Sequence, residues 1–271
     1  MEMTRANLTG LARTLRSAYG EKRLATSGDP LAELILTVLS QATNDRNRDR
    51  AYAALRAAFP TWEEVAAAPV EEVARAIGVG GLARNKAPRI QAIIRAVGSG
   101  EALRRGLEAR PVAEALDYLC RLPGVGPKTA ACTLLFALGQ PVFPVDTHIH
   151  RIARRLGLVP AGADAVKTQA AFNRILADPA RPGEGMTPGE LYELHLNLLE
   201  HGRSVCRPAR PRCGECPLAA DCAHAQRAEG REGPDEAGQD GPGGNGEAAG
   251  RAGRAAGREE SPLIRRSDSS G

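Results

Sequence analysis

Leu122-Pro-Gly-Val-Gly-Pro-Lys128 is followed, 18 residues after its lysine, by Asp146 in Val145-Asp-Thr-His148. A Gly-Val-Gly turn between two apolar helical stretches predicts a tight hairpin, since glycine takes backbone angles that other residues resist. Its N–H groups would face outward, where they can hold a phosphate, so Gly124, Val125 and Gly126 form the expected grip. Lys128 then falls at the start of the second helix. There the positive end of the helix dipole should disfavour its ammonium form and make the amine a better nucleophile. A carboxylate from Asp146 brought beside it could take its proton or steady a developing cation. Asp146 could equally be no more than the cap of the helix that follows it. Grip, amine and acid together point to chemistry on a nucleic-acid sugar.

Outward from this stretch the chain reads as helical almost throughout. Asp29 with Pro30 opens a helix over Leu31–Leu39, and Thr61-x-x-Glu64 is a capping box. Thr187-Pro188-x-Glu190 repeats that grammar before Leu191–His201. Gly139 should stop the helix that begins near Lys128, and Asp146 is placed to cap Thr147–Leu156. Leu34 with Val38, and Tyr52 with Leu55 and Phe59, have the spacing of amphipathic helices. No convincing alternating strand pattern occurs.

Composition narrows the class. Hydrophobic residues make up 42% of the 271, enough for a core, and only 3% are aromatic, so aliphatic side chains must supply the packing. No apolar run approaches the ~18–20 residues that span a membrane, and Met1-Glu-Met-Thr-Arg5 lacks a signal-peptide pattern. The expectation is a soluble cytoplasmic protein. The net charge is +4, with −2 over residues 227–271 and +6 before them, which is compatible with a polyanionic partner. Lysines number 4 against 32 arginines, which isolates Lys128, because an arginine could not replace an amine nucleophile. Residues 227–271 hold 11 glycines and few large apolar side chains, the composition of a disordered tail.

Of the six cysteines, Cys120 and Cys132 lie in apolar helical segments and read as small core residues. Cys206, Cys213, Cys216 and Cys222 fall within 17 residues. Such clustering in a chain of cytoplasmic character argues for a metal centre rather than disulfides. Zinc usually takes two Cys-x-x-Cys knuckles and only one short pair is present, while iron–sulfur clusters tolerate varied spacing. On spacing alone the two metals stay open.

Several stretches, in order along the chain, carry a family resemblance. They are Leu39-Ser-Gln-Ala-Thr43, Gly81-Leu-Ala-Arg-Asn-Lys-Ala87, Leu122 through Ala130, Val145-Asp-Thr-His-Ile149, and Cys206 through Cys222. With them the chain resembles the endonuclease III branch of the helix-hairpin-helix DNA glycosylases over roughly residues 29–222. The resemblance implies an all-α fold, two helical domains flanking a DNA-binding cleft. Residues 29–143 would form a six-helix domain with the hairpin. Residues 1–28 would join 144–226 as the second domain, with a [4Fe–4S] cluster on the four cysteines. That cluster would shape a DNA-contacting loop holding Arg207, Arg210 and Arg212. Lys128 would attack the sugar C1′ of an extruded nucleotide and form a Schiff base, with Asp146 assisting. Gln41 would fill the gap left in the duplex, Leu82 would wedge the opposite strand, and His148, with His150 nearby, would touch phosphate.

The function so implied is a bifunctional glycosylase and abasic-site lyase of base excision repair, acting on oxidised pyrimidines. Its partner would be double-stranded DNA with damaged bases or abasic sites, met by a monomer without membrane contact. A monofunctional mismatch-base glycosylase, a non-catalytic hairpin DNA-binding protein and a structural metal module are the alternatives. The family often has Asp after Gln-Ala-Thr, where Asn44 stands here with Asp45 next, and an aromatic where Ala83 stands. Both departures bear on lesion choice. The related adenine-excising enzymes carry a catalytic Glu where Thr37 aligns, and they lack the hairpin lysine.

Overall fold

The computed structural model describes residues 3–176 and 185–229, and these are helical without a strand. Thirteen α-helices follow one another among them. They are α1 (Arg5–Tyr19), α2 (Pro30–Leu39), α3 (Asp45–Ala58), α4 (Trp62–Ala67), α5 (Val70–Ala76), α6 (Ala83–Val97) and α7 (Gly100–Glu108). Then come α8 (Val112–Cys120), α9 (Pro127–Leu138), α10 (Thr147–Leu156), α11 (Ala165–Leu176), α12 (Pro188–Ser204) and α13 (Ala223–Glu229). Among the described residues no helix is long and apolar enough to cross a membrane.

Local chemistry sets the boundaries. Asp29 caps α2 by accepting from Leu31 and Ala32, with Pro30 in the first turn. Both capping boxes form, Thr61 with Glu64 and Thr187 with Glu190, each satisfying two otherwise unpaired backbone donors. The second starts α12 at Pro188, a turn before Leu191. Gly139 ends α9 in the left-handed conformation. Asn44 caps α3 through Asn47 N–H, and Asp45 pairs with Arg48 and, across the fold, with Arg203 of α12 at 2.9 Å.

Aliphatic packing carries the core. Leu8 and Leu15 of α1, Leu34 and Val38 of α2, Ile90 and Ile94 of α6, Leu134 and Leu135 of α9, and Leu194 and Leu198 of α12 are all buried in one continuous cluster. Helix α9 is central, packing on α2, α8, α11 and α12, while α1 lies along α12. At 25 cal/mol per Å², each buried Leu or Ile contributes about 1.5–3 kcal/mol, so this aliphatic set replaces the scarce aromatics. Cys132 of α9 is buried as expected; Cys120 is not. It ends α8 on the exposed side, because an apolar stretch does not by itself say which face turns inward. Helix α13 extends to Glu229, past the expected start of the tail at residue 227. The rest of that segment, 230–271, lies outside the described residues.

Candidate active site

The hairpin joins α8 to α9 through two turn bonds, Leu122 N–H to Leu119 O at 3.0 Å and Val125 N–H to Leu122 O at 3.1 Å. Gly124 takes φ +69°, the left-handed region where a side chain is strained. Val125 departs from its expected role. Its side chain is buried and its N–H is spent inside the turn. The outward donors are therefore Gly124 and Gly126, both exposed, with no hydrogen-bond partner among the described residues.

Lys128 sits in the first turn of α9, half-buried. Its ammonium is held above the ordinary lysine range, opposite to the dipole expectation. The Cys132 sulfur, one turn further along α9, contributes most, and Asp146 and Glu33 add to it against burial, which pulls the other way. Burial pushes the Cys132 thiol up as well, with Lys128 pulling it back down. One helix dipole is a weaker field than a full charge nearby. An amine held this way would have to shed a proton before acting as a nucleophile.

Asp146 does cap α10, its Oδ1 accepting from Ile149 N–H at 2.8 Å, and it also lies within the field of Lys128. The extended segment that delivers it is stapled residue by residue. Phe143 N–H donates to Asn173 Oδ1 at 2.8 Å, and Val145 N–H to Gln169 Oε1 at 3.0 Å. His195 Nδ1 donates to the Pro144 carbonyl at 3.0 Å. Burial, aided by Lys128, lowers the His195 imidazole to about 4, so it stays neutral.

Glu33 of α2 joins this group unannounced by the sequence. Burial raises its carboxyl to about 7, against Arg48, Lys128 and a hydrogen bond from Thr37 Oγ1 at 3.4 Å. The folded chain therefore keeps a proton that the unfolded chain releases near 4.5, and stability falls as pH rises from about 4.5 through 7. Glu33→Gln should match the parent in urea unfolding at pH 5 and exceed it by about 1–3 kcal/mol at pH 8. An equal difference at both pH values would contradict this.

Two loops with backbone strain stand near the hairpin. Ala42 has φ +53°, and Leu82, which precedes α6, has φ +51° and is 56% exposed. Gln41, before Ala42, accepts from Arg89 Nη1 at 2.9 Å. The Arg89 side chain lies across Gly124, where an added methyl would fall 2.2 Å from its Nε. Beneath both loops the fully buried Lys86 donates to the carbonyls of Leu39 and Gly80, at 2.8 and 2.9 Å. His148 is half-buried on the first turn of α10. It packs against Gly202, with Nδ1 toward Arg151 at 3.1 Å. His150 Nδ1 is within 2.8 Å of Thr168 Oγ1.

Cys206, Cys213, Cys216 and Cys222 line one cavity together with Arg155 and His224. Among the described residues no three donors converge closely enough to hold a single ion. Four thiols lining one space are donors that either a zinc ion or an iron–sulfur cluster could use. Arginines of α10 fasten this loop. Arg151 donates to the carbonyls of Gly202 and Cys206, and Arg155 to those of Arg207 and Pro208. His201 bridges Tyr19 Oη, at 2.7 Å from Nδ1, and Cys216 Sγ, at 3.7 Å from Nε2. Arg207, Arg210 and Arg212 are exposed on the loop.

Comparison with known proteins finds relatives of this chain in sequence and in fold. Residues 35–178 match the family model described as HhH-GPD superfamily base excision DNA repair protein. A protein of Arabidopsis thaliana named as a candidate DNA glycosylase is 36% identical over 196 residues, 68% of this chain and 64% of its own, so the chain spans just under two thirds of that relative. The endonuclease III of Thermotoga maritima is 35% identical over 200 residues, 73% of this chain and 85% of that one. Among solved structures, a trapped endonuclease III–DNA covalent intermediate aligns with a TM-score of 0.66 at 26% identity, covering 83% of this chain and 99% of that chain.

Proposed function

Since the chain belongs to the HhH-GPD superfamily of base excision DNA repair proteins, we propose that it is a bifunctional DNA glycosylase and abasic-site lyase. Its substrate is duplex DNA carrying damaged bases, oxidised pyrimidines first, or abasic sites. The observation that carries this reading is Lys128, set behind a hairpin with two outward amides and inside the field of Asp146.

The chemistry follows from those groups. The Gly124 and Gly126 amides hold a backbone phosphate while the damaged nucleotide leaves the stack. Gln41 enters the vacated space, and the exposed Leu82 wedges the opposite strand. Lys128 passes its proton to the Asp146 carboxylate and attacks C1′. The glycosidic bond breaks with its electron pair going to the base, which takes up a proton. Opening of the C1′–O4′ bond, with O4′ taking the proton held by Asp146, gives the iminium, steadied by the restored carboxylate. Loss of a C2′ proton then expels the 3′ phosphate and cuts the strand.

The same reading divides the chain into 29–143 and 1–28 with 144–226, supported by the packing of α1 on α12. It also gives the four cysteines a [4Fe–4S] cluster, supported by the cavity they share. Such a cluster would shape the basic loop, not break bonds. Anaerobically purified protein should show broad absorption near ~400 nm with iron and sulfide. Stoichiometric zinc without that band would overturn the assignment.

A duplex with one abasic site, incubated with the protein and borohydride, tests the activity. A covalent protein–DNA adduct and strand scission are expected. Base release from a lesion duplex without scission would make the chain monofunctional. Binding at saturation with neither would leave only a phosphate clamp.

A further inference from the structure

We propose that Gln169 of α11 is the positioning residue that sets Lys128 and Asp146 at their working separation. This rests on the reading of those two residues as the reacting pair. Gln169 is 4% exposed and uses both ends of its amide. Oε1 accepts from Val145 N–H at 3.0 Å, and Nε2 donates to the Pro127 carbonyl at 2.8 Å. Val145 immediately precedes Asp146, and Pro127 immediately precedes Lys128. One rigid planar group thus joins the backbones that carry two side chains remote in sequence.

The neighbouring staple does less. Asn173 lies one turn along α11 and accepts from Phe143 N–H, holding the same extended segment. The N–H groups of Phe143 and Val145 point to one side because successive residues of an extended chain alternate, while positions i and i+4 share a helix face. Helix α11 therefore offers a rail of two polar side chains to this segment. Of the two, only Gln169 also reaches the lysine's turn. Asn173 is accordingly a built-in control: removing it loosens the segment without cutting the link to α9.

The reaction needs Lys128 Nζ and the Asp146 carboxylate aligned on one carbon, and a misplacement of about 1 Å can cost on the order of 100-fold in rate. Gln169→Leu keeps the bulk and loses both bonds. Adduct formation at saturating abasic duplex should slow by roughly 10–100-fold, with the dissociation constant for that duplex within about twofold of the parent, since no DNA-facing group has changed. Asn173→Ala should lower the thermal midpoint yet leave the adduct rate within about threefold. If Gln169→Leu does not fold, Gln169→Glu keeps the acceptor for Val145 and loses the donor to Pro127, and the same loss of rate is expected. Parent-like adduct rates in the Gln169 variants, or an equal loss in Asn173→Ala, would overturn the proposal. Failure of the parent chain itself to form an adduct would instead strike the catalytic reading beneath it.

Discussion

Lys128→Gln will hold an abasic duplex within a few-fold of the parent's affinity and yield no borohydride-trapped adduct. An amide nitrogen has its lone pair delocalised into the carbonyl and cannot form an imine, so strand scission should fall by at least about 10³-fold. Lys128→Arg sharpens the test. A guanidinium restores the positive charge but stays protonated at any working pH, so a charge-only role would be rescued and a nucleophilic one would not. Asp146 carries two duties that substitution can separate. Asparagine caps a helix about as well as aspartate, so Asp146→Asn should retain the bond to Ile149 N–H and the parent's thermal midpoint. It removes the charge proposed to steady the iminium, and the rate should drop by about 100-fold. A parent-like rate in Asp146→Asn would reduce that residue to a cap. An adduct persisting in Lys128→Gln would move the nucleophile elsewhere.

Where the sequence was informative, the determinants were local. Asp29, the Thr61–Glu64 and Thr187–Glu190 boxes and Gly139 act within one helical turn, so their effect can be read from neighbours alone. The hairpin was legible for the same reason, and its residue-level error at Val125 arose because turn type decides which amide is spent internally. The state of Lys128 was not legible. The dipole and Cys132 belong to its own helix, whereas Glu33 arrives on α2 and Asp146 after an extended segment, and only the fold brings all of them to one amine. Gln169 and Asn173 could not be singled out from sequence, since nothing near them in the chain announces Val145, Phe143 or Pro127. Arg89 was overlooked for a related reason: only the folded chain lays it across the bare face of Gly124. The cysteines were readable as a set because four thiols in one short segment constrain one another whatever the fold does elsewhere.

Lys86→Met should cost about 2–4 kcal/mol in urea unfolding, more than any surface change in this chain. A lysine is rarely interior, and here burial lowers its pKa, yet the ammonium is retained because two carbonyls meet it at 2.8 and 2.9 Å. Methionine fills the space but leaves Leu39 O and Gly80 O unpaired in the interior. Replacing a buried polar group together with its partners can be neutral; removing one side alone is not. The two carbonyls end the segments that lead into Gln41 and Leu82. Each of those loops holds a non-glycine residue at positive φ, Ala42 and Leu82, at a cost of roughly 1–2 kcal/mol per residue. Such strain persists only where the surroundings over-determine the backbone, and the Lys86 ammonium is the group that ties both loops to one point. Part of the loss in Lys86→Met will therefore be recovered as the loops relax, which sets the expected value below the 3–5 kcal/mol of a fully orphaned buried charge pair. Amide hydrogen exchange should report the relaxation directly, with faster exchange confined to residues 40–43 and 78–83. Uniform acceleration across α2 and α6 would instead mean that Lys86 supports the helices and leaves the loops to hold themselves.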